Sequence, residues 1–131
     1  MLARKDIRLL AKERLRDAQV LLRGRRYAGA IYLCGYAVEL ALKWRICETL
    51  RWGGYPATNA DFSEYRSFKT HDLDVLLHLS GVEKRIKTKL FTQWSAVAQW
   101  NPESRYNPIA KAKAADASLM ITSAKVLLRA I

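Results

Sequence analysis

Apolar residues recur every three to four positions along most of the chain, which is the period of an amphipathic α-helix. The first such stretch predicts a helix over residues 3–22, ended by Gly24. The second, residues 26–50, is apolar on nearly every side as far as Trp44, so we expect it to be the central helix of a bundle. Arg14 falls inside the apolar stripe of the first helix, where it either reaches out to water or pairs with an acid on a neighbouring helix.

The next stretch, residues 51–70, is irregular and rich in turn formers. Aromatic and basic side chains are interleaved along it. That mixture suits two structures: a loop that stacks on nucleobases and contacts phosphate, or a loop that packs back on the bundle. The sequence alone leaves both open.

Three further helices are predicted after this segment. Two of them cover residues 71–79 and 83–100, and the last begins with Asn107 as its N-cap and Pro108 in its first turn. No stretch gives a convincing strand pattern. Because most connections are short, sequential helices should be antiparallel neighbours. The expected fold is therefore all-α, an up-and-down antiparallel bundle of about five helices in one domain over residues 1–131.

One line along the second helix interrupts its apolar character. Tyr32, Tyr36, Glu39 and Lys43 follow one another at spacings of four, three and four, so their side chains lie one above another. Glu39 and Lys43 stand in the favoured order for an ion pair. These four residues, called the polar strip below, form either a ligand-binding groove or a hydrated seam between two helices.

The charge balance adds a second candidate surface. The chain has 23 Lys and Arg against 12 Asp and Glu, a formal net charge of +11, which attracts polyanions but also suits a merely solvated basic face. Lys84, Arg85, Lys87 and Lys89 cluster at the start of the predicted fourth helix, where positive charge opposes the helix dipole. A phosphate-facing patch would explain that cost, and an exposed face screened by salt is the alternative.

Cysteine and histidine usage limits the chemistry. Cys34 and Cys47 lie thirteen residues apart in one predicted helix, roughly 20 Å, so they cannot form a disulfide there. We expect buried, reduced thiols and a cytoplasmic protein. With two histidines and no metal-ligand spacing, no metal or cofactor is expected. The charged N-terminal residues lack the apolar core of a signal peptide, and residues 27–42 are too short a run for a membrane span.

Several of these residues resemble a known family. Residues 27–30 (Tyr-Ala-Gly-Ala) and 36–43 (Tyr-Ala-Val-Glu-Leu-Ala-Leu-Lys) are similar to the second helix of HEPN (higher eukaryotes and prokaryotes nucleotide-binding) domains. Residues 71–73 (His-Asp-Leu) and the pair Arg105 and Tyr106 also look like that family. The resemblance implies a helical bundle, commonly a homodimer, that binds nucleotide or RNA or works beside a minimal nucleotidyltransferase, often as a toxin–antitoxin pair.

The resemblance also raises the question of catalysis. Ribonuclease members of the family carry an Arg followed after four to six residues by His, and Arg66 and His71 meet that spacing. In that metal-independent chemistry the His takes the ribose 2′-hydroxyl proton and the Arg stabilises charge on the phosphate. However, Ser67 stands where Asn, Asp or His is usual, and the pair lies earlier in the chain than the family's motif.

The leading interpretation is therefore a non-catalytic, dimeric HEPN-type module that binds a nucleotide, RNA or a partner nucleotidyltransferase. The polar strip with Arg105 and Tyr106 is its candidate ligand site. The alternatives are a metal-independent ribonuclease that uses Arg66 and His71, and a dimeric scaffold whose charge has no specific partner.

Overall fold

The computed structural model describes all 131 residues and is mostly helical. Helix accounts for 72% of the chain and strand for 3%, so the expected all-α class is confirmed. Three short 3₁₀ turns cover Arg66–Phe68, Pro102–Tyr106 and Ile109–Lys111. The six α-helices are α1 (Arg4–Arg23), α2 (Tyr27–Leu50), α3 (Leu73–Ser80), α4 (Glu83–Lys89), α5 (Phe91–Val97) and α6 (Ala114–Ala130).

Helix α2 is central, as its apolar sequence predicts. It packs against α1, α3 and α6 around one continuous hydrophobic core. Its pairing with α1 is antiparallel, because Arg4 near the start of α1 meets Glu48 near the end of α2 at 3.3 Å. Further along, the Arg8 guanidinium lies 4.6 Å from the centre of the Trp44 ring.

The expectation that all sequential helices are antiparallel is wrong for α2 and α3. His71, just before α3, contacts Glu39 in the middle of α2, and the carbonyl of Ser80 at the end of α3 accepts a hydrogen bond from Thr49 at the end of α2. The two helices therefore run in the same direction. The reason is residues 51–72, which are long enough to carry the chain back along α2 before α3 begins.

The predicted fourth helix is two helices. It breaks at Leu90, whose φ of −131° and ψ of 36° are not helical. In a straight helix, side chains four residues apart point in directions that differ by about 40°. Trp94, eight residues after Ile86, would therefore point away from the face that Ile86 buries. The break lets both side chains be buried. Trp94 also donates from Nε1 to Asp74 at 2.9 Å, which ties α5 to α3.

The last helix does not begin at Asn107 and Pro108 as predicted. Both residues have extended ψ values, 148° and 129°, so they precede a 3₁₀ turn, and α6 starts at Ala114. The earlier Asn-Pro pair does act as a cap, but of the 3₁₀ turn Pro102–Tyr106 and not of α6. There the side chain of Asn101 accepts a hydrogen bond from the N–H of Glu103 at 2.9 Å. The connection between α5 and α6 is consequently longer than expected.

The expected absence of strands is also wrong. Two short antiparallel strands, β1 (Leu2–Ala3) and β2 (Gly54–Tyr55), pair Leu2 with Tyr55 and Ala3 with Gly54. A Cβ on Gly54 would lie 2.6 Å from the Leu2 carbonyl oxygen, so glycine is required for this approach. Two-residue strands are too short to leave an alternating pattern in the sequence.

The aromatic residues of segment 51–70 pack back on the bundle, one of the two structures the sequence left open. The Trp52 ring centre lies 5.0 Å from that of Phe68 and 5.2 Å from that of Tyr65. Tyr55 is buried and donates its hydroxyl to the Phe68 carbonyl at 2.6 Å. Edge and tilted contacts of this kind stabilise a loop beyond the area they bury.

Both thiols are buried and unpaired, as predicted. Burial raises the pKa of Cys34 to about 12 and that of Cys47 to about 11, because a thiolate is poorly solvated there. No helix in the chain combines the length with the apolar character that crossing a bilayer requires.

Candidate functional site

The polar strip of α2 is arranged around a buried carboxylate. Glu39 is only 1% exposed. One of its oxygens accepts a hydrogen bond from Nζ of Lys43 at 3.1 Å, which confirms the predicted ion pair. The other oxygen lies 2.8 Å from Nδ1 of His71, 32 residues further along the chain. A buried carboxylate is costly unless its charge is paired, and here both oxygens have partners.

His71 is placed at the strip by the parallel course of α3. Asp72 caps α3, since its carboxylate accepts the N–H of Val75 at 3.1 Å, and this fixes the residue that precedes the cap. An ionised carboxylate can only accept a hydrogen bond, so Nδ1 of His71 carries a proton toward Glu39 and Nε2 remains available. The His71 side chain is 63% exposed, so that nitrogen is within reach of a ligand.

The other end of the strip meets the segment after α5. The ring centres of Tyr32 and Trp100 are 6.2 Å apart. A Cβ on Gly35 would overlap the Trp100 indole, so only glycine lets this ring lie against α2. The indole in turn holds the following 3₁₀ turn, with Arg105, against the strip. Trp100 was not among the predicted site residues, although a tryptophan directly before an Asn-Pro turn is a recognisable anchor.

Arg105 lies beside two tyrosine hydroxyls. The nearby hydroxyls of Tyr106 and then of Tyr32 raise the pKa of its guanidinium. The guanidinium also stacks over the Tyr106 ring at 4.7 Å, and Nη1 donates to the Pro102 carbonyl at 3.3 Å. Two candidates that the sequence presented separately, the polar strip and the pair Arg105 and Tyr106, are therefore parts of one surface.

Tyr36 occupies the middle of this surface. Burial is the main cause of its raised pKa, followed by the negative charge of Glu39, while the positive charge of Arg14 opposes the rise. Arg14 therefore approaches the strip from α1. Its Nε lies 3.0 Å from a carboxylate oxygen of Asp17, but the N–H is not directed at that oxygen. Of the two alternatives that the sequence left open, an ion pair with a neighbouring helix is not formed, because the acid near Arg14 is on α1 itself.

Arg66, the other half of the proposed ribonuclease pair, is not engaged with this surface. It lies exposed on the 3₁₀ turn before α3, and no hydrogen bond or ion pair joins it to His71 or Glu39. The structure thus brings His71 to the strip and leaves Arg66 free.

The four cations of α4 are all exposed, but two of them have partners within the chain. Arg85 donates to the carbonyl of Ala130 at 2.6 Å, where positive charge favours the C-terminal end of α6. Lys87 lies 3.4 Å from Glu83 and 3.6 Å from Asp74. The unfavourable charge at the start of α4 is offset by these contacts, so it does not require a phosphate. The other two cations, Lys84 and Lys89, are exposed and have no acidic partner.

No three His, Cys, Asp or Glu side chains come together in a group that could hold a metal ion. The surface is instead composed of hydroxyls, aromatic rings, cations and one buried carboxylate. Such groups can bind a phosphate and a flat ring. No family model, no curated protein and no solved structure matches this chain.

Proposed function

We propose that this chain is a non-catalytic HEPN-type binding module that engages a nucleotide or a short stretch of RNA along the polar strip. One observation carries the proposal. Residues from three parts of the chain lie along one side of α2: His71 contacts the buried Glu39 carboxylate, and the turn that carries Arg105 and Tyr106 packs near Tyr32.

The chemistry of this face suits a nucleotide. Arg105 has no carboxylate partner, so its guanidinium can contact a phosphate in a forked geometry. Tyr32 and Tyr36 offer partly exposed rings on which bases stack without regard to sequence, whereas Arg105 covers one face of the Tyr106 ring. Because the Lys43 side chain is only 15% exposed, the accessible part of the strip runs from Tyr32 to the level of Glu39, where exposed His71 lies. At 1.5 Å per residue this is roughly 10 Å, which accommodates about three nucleotides stacked about 3.4 Å apart.

Pairing of two copies, and association with a nucleotidyltransferase as in toxin–antitoxin systems, belong to the same proposal through the HEPN resemblance. Tyr106 and Ile109, three residues apart in the connection between α5 and α6, are 72% and 81% exposed. Large exposed apolar side chains are typical of protein contact surfaces, so they support pairing through this connection.

Binding of a fluorescent ten-nucleotide RNA and of ATP by the wild type and by Arg105→Gln tests the proposal. A hydrogen bond to a charged group contributes about 1.5–3 kcal/mol, so the variant should bind at least about tenfold more weakly. Arg129→Gln is the matched control, because Arg129 is exposed on α6, away from the strip. Absence of binding by the wild type, or equal losses in both variants, would contradict the proposal.

A second candidate function is metal-independent RNA cleavage by Arg66 and His71. The observation in its favour is the contact between Glu39 and Nδ1 of His71, which leaves Nε2 free as a base, as carboxylate-held histidines are in other enzymes. Incubation of RNA in EDTA with the wild type, His71→Ala and Arg66→Gln separates the two candidates. The binding proposal expects no cleavage by any of the three. Cleavage by the wild type and by neither variant would establish the enzyme instead.

A further inference from the structure

The cations of α1 are segregated onto one side of the helix. Five of them fall within an arc of about 80° when α1 is viewed along its axis at 100° per residue. All five side chains are exposed. They are called the basic stripe: Lys5, Arg8, Lys12, Arg16 and Arg23.

The acids of α1 lie elsewhere on its circumference. Asp6, Glu13 and Asp17 are centred about 120° around the helix from the middle of the stripe. The stripe's one ion pair joins Arg16 to Glu13 at 3.0 Å, between side chains that are 74% and 52% exposed. Such a surface pair contributes little. The positive charge of the stripe is therefore mostly unneutralised.

The stripe is long and straight. It extends over nineteen residues, from Lys5 to Arg23, or about 27 Å of helix. Near one end, Arg8 is held over the Trp44 ring at 4.6 Å, which restricts its guanidinium. The first four cations are three or four residues apart and so about 5–6 Å from one another, and Arg23 follows Arg16 after seven residues. These spacings let each cation meet a different phosphate.

We propose that the basic stripe docks on the phosphate backbone of a nucleic-acid duplex, independently of its sequence. Charge complementarity is the main argument. A duplex is favoured over a single strand because the stripe exposes no aromatic ring for unstacked bases, and the face of Trp44 is covered by Arg8. The acids on the other side of α1 would repel a second strand, so the helix lies along one backbone and does not enter a groove.

An anionic membrane fits the stripe less well. Surface-bound helices bury a continuous apolar face beside their cations. The large exposed apolar side chains of α1 are Leu9 and Val20, eleven residues apart, which do not form such a face. The stripe is also separate from the polar strip, which Arg14 approaches from the opposite flank of α1. The inference therefore does not rest on the proposed function.

Fluorescence anisotropy of a labelled twenty-base-pair DNA duplex, titrated with the full chain between 50 and 200 mM NaCl, tests this inference. Five phosphate contacts predict a slope of log affinity against log salt of about −4.5, so affinity should fall about 500-fold over that range. A stripe variant that keeps Arg8, because of its contact with Trp44, should show a slope near −1 and a loss of only about fourfold. This variant combines Lys5→Gln, Lys12→Gln, Arg16→Gln and Arg23→Gln.

A charge-matched control separates the stripe from general electrostatics. The control and the stripe variant each lower the net charge of +11 by four. The inference predicts that the control keeps the wild-type slope while circular dichroism shows both variants folded. Equal losses in the two variants, no duplex binding by the wild type, or tighter binding to a single strand or to phosphatidylserine vesicles would overturn it. The control combines Lys84→Gln, Lys89→Gln, Lys111→Gln and Lys113→Gln, all at exposed positions.

Discussion

Replacement of Glu39 by glutamine probes the centre of the polar strip with almost no change in shape. In the wild type, one carboxylate oxygen accepts from Lys43 at 3.1 Å and the other lies 2.8 Å from Nδ1 of His71. Glutamine keeps one oxygen and puts an NH₂ group in place of the other. The NH₂ group can donate to Nδ1 of His71 only if the imidazole proton moves to Nε2, and the Lys43 ammonium then faces a neutral amide oxygen in place of a carboxylate. The charge-assisted hydrogen bond to Lys43 is therefore lost.

The size of the effect follows from burial. Hydrogen bonds to charged groups contribute about 1.5–3 kcal/mol each. The Lys43 side chain is 15% exposed, whereas that of His71 is 63% exposed and can turn to water, so most of the loss comes from Lys43. We expect Glu39→Gln to lower the free energy of unfolding by about 2–3 kcal/mol and the Tm by roughly 6–12 °C.

Urea denaturation followed by circular dichroism measures this difference. Glu13→Gln is the matched control, because Glu13 makes an exposed pair with Arg16 whose removal should cost less than about 1 kcal/mol. If the two variants are destabilised equally, Glu39 is not held as a buried, doubly paired carboxylate and the reasoning about the strip is refuted.

Three further predictions follow from single features. Native protein at pH 8 should react with a thiol reagent far more slowly than urea-unfolded protein. The reason is that burial raises the pKa of Cys34 to about 12 and that of Cys47 to about 11, so little reactive thiolate is present. Fast labelling of the native protein would contradict the burial of the two thiols. Gly35→Ala should lower the free energy of unfolding by about 1–3 kcal/mol, because the added Cβ overlaps the Trp100 indole. Gly53→Ala is the control and should cause no such loss, because its Cβ would lie in open space. Urea denaturation compares the two variants. Hydrogen bonds from backbone N–H groups lower the pKa of Asp61 to about 2. The ionised carboxylate should therefore stabilise the fold above about pH 4, and this stabilisation should disappear as the pH falls toward 2. An Asp61→Asn variant should be less stable than the wild type at pH 5 and equally stable at pH 2.

The features that sequence predicts well are local. The apolar sequence of α2 identifies it as the central helix, and a spacing of four places Lys43 beside Glu39. Both depend only on residues within a turn or two of one another. The same holds for the buried, unpaired state of the two cysteines, which follows from their positions in that helix.

The features that sequence predicts poorly depend on packing between distant residues. The break at Leu90 is caused by the core that Ile86 and Trp94 must share, and a continuous helical pattern does not reveal it. The contact between Glu39 and His71 requires α3 to run parallel to α2, which depends on the path of a long loop. A buried glutamate does indicate a need for partners, but not which histidine supplies one.

The central claim is that the polar strip, His71 and Arg105 form one binding face for a nucleotide ligand. Photo-crosslinking with a ten-nucleotide RNA containing 4-thiouridine, followed by mass spectrometry of the crosslinked peptides, tests it most directly. The account predicts crosslinks in peptides that contain Tyr32, Tyr36 or Tyr106, reduced by excess unlabelled RNA. Crosslinks confined to other parts of the chain, or none at concentrations where binding is saturated, would contradict it.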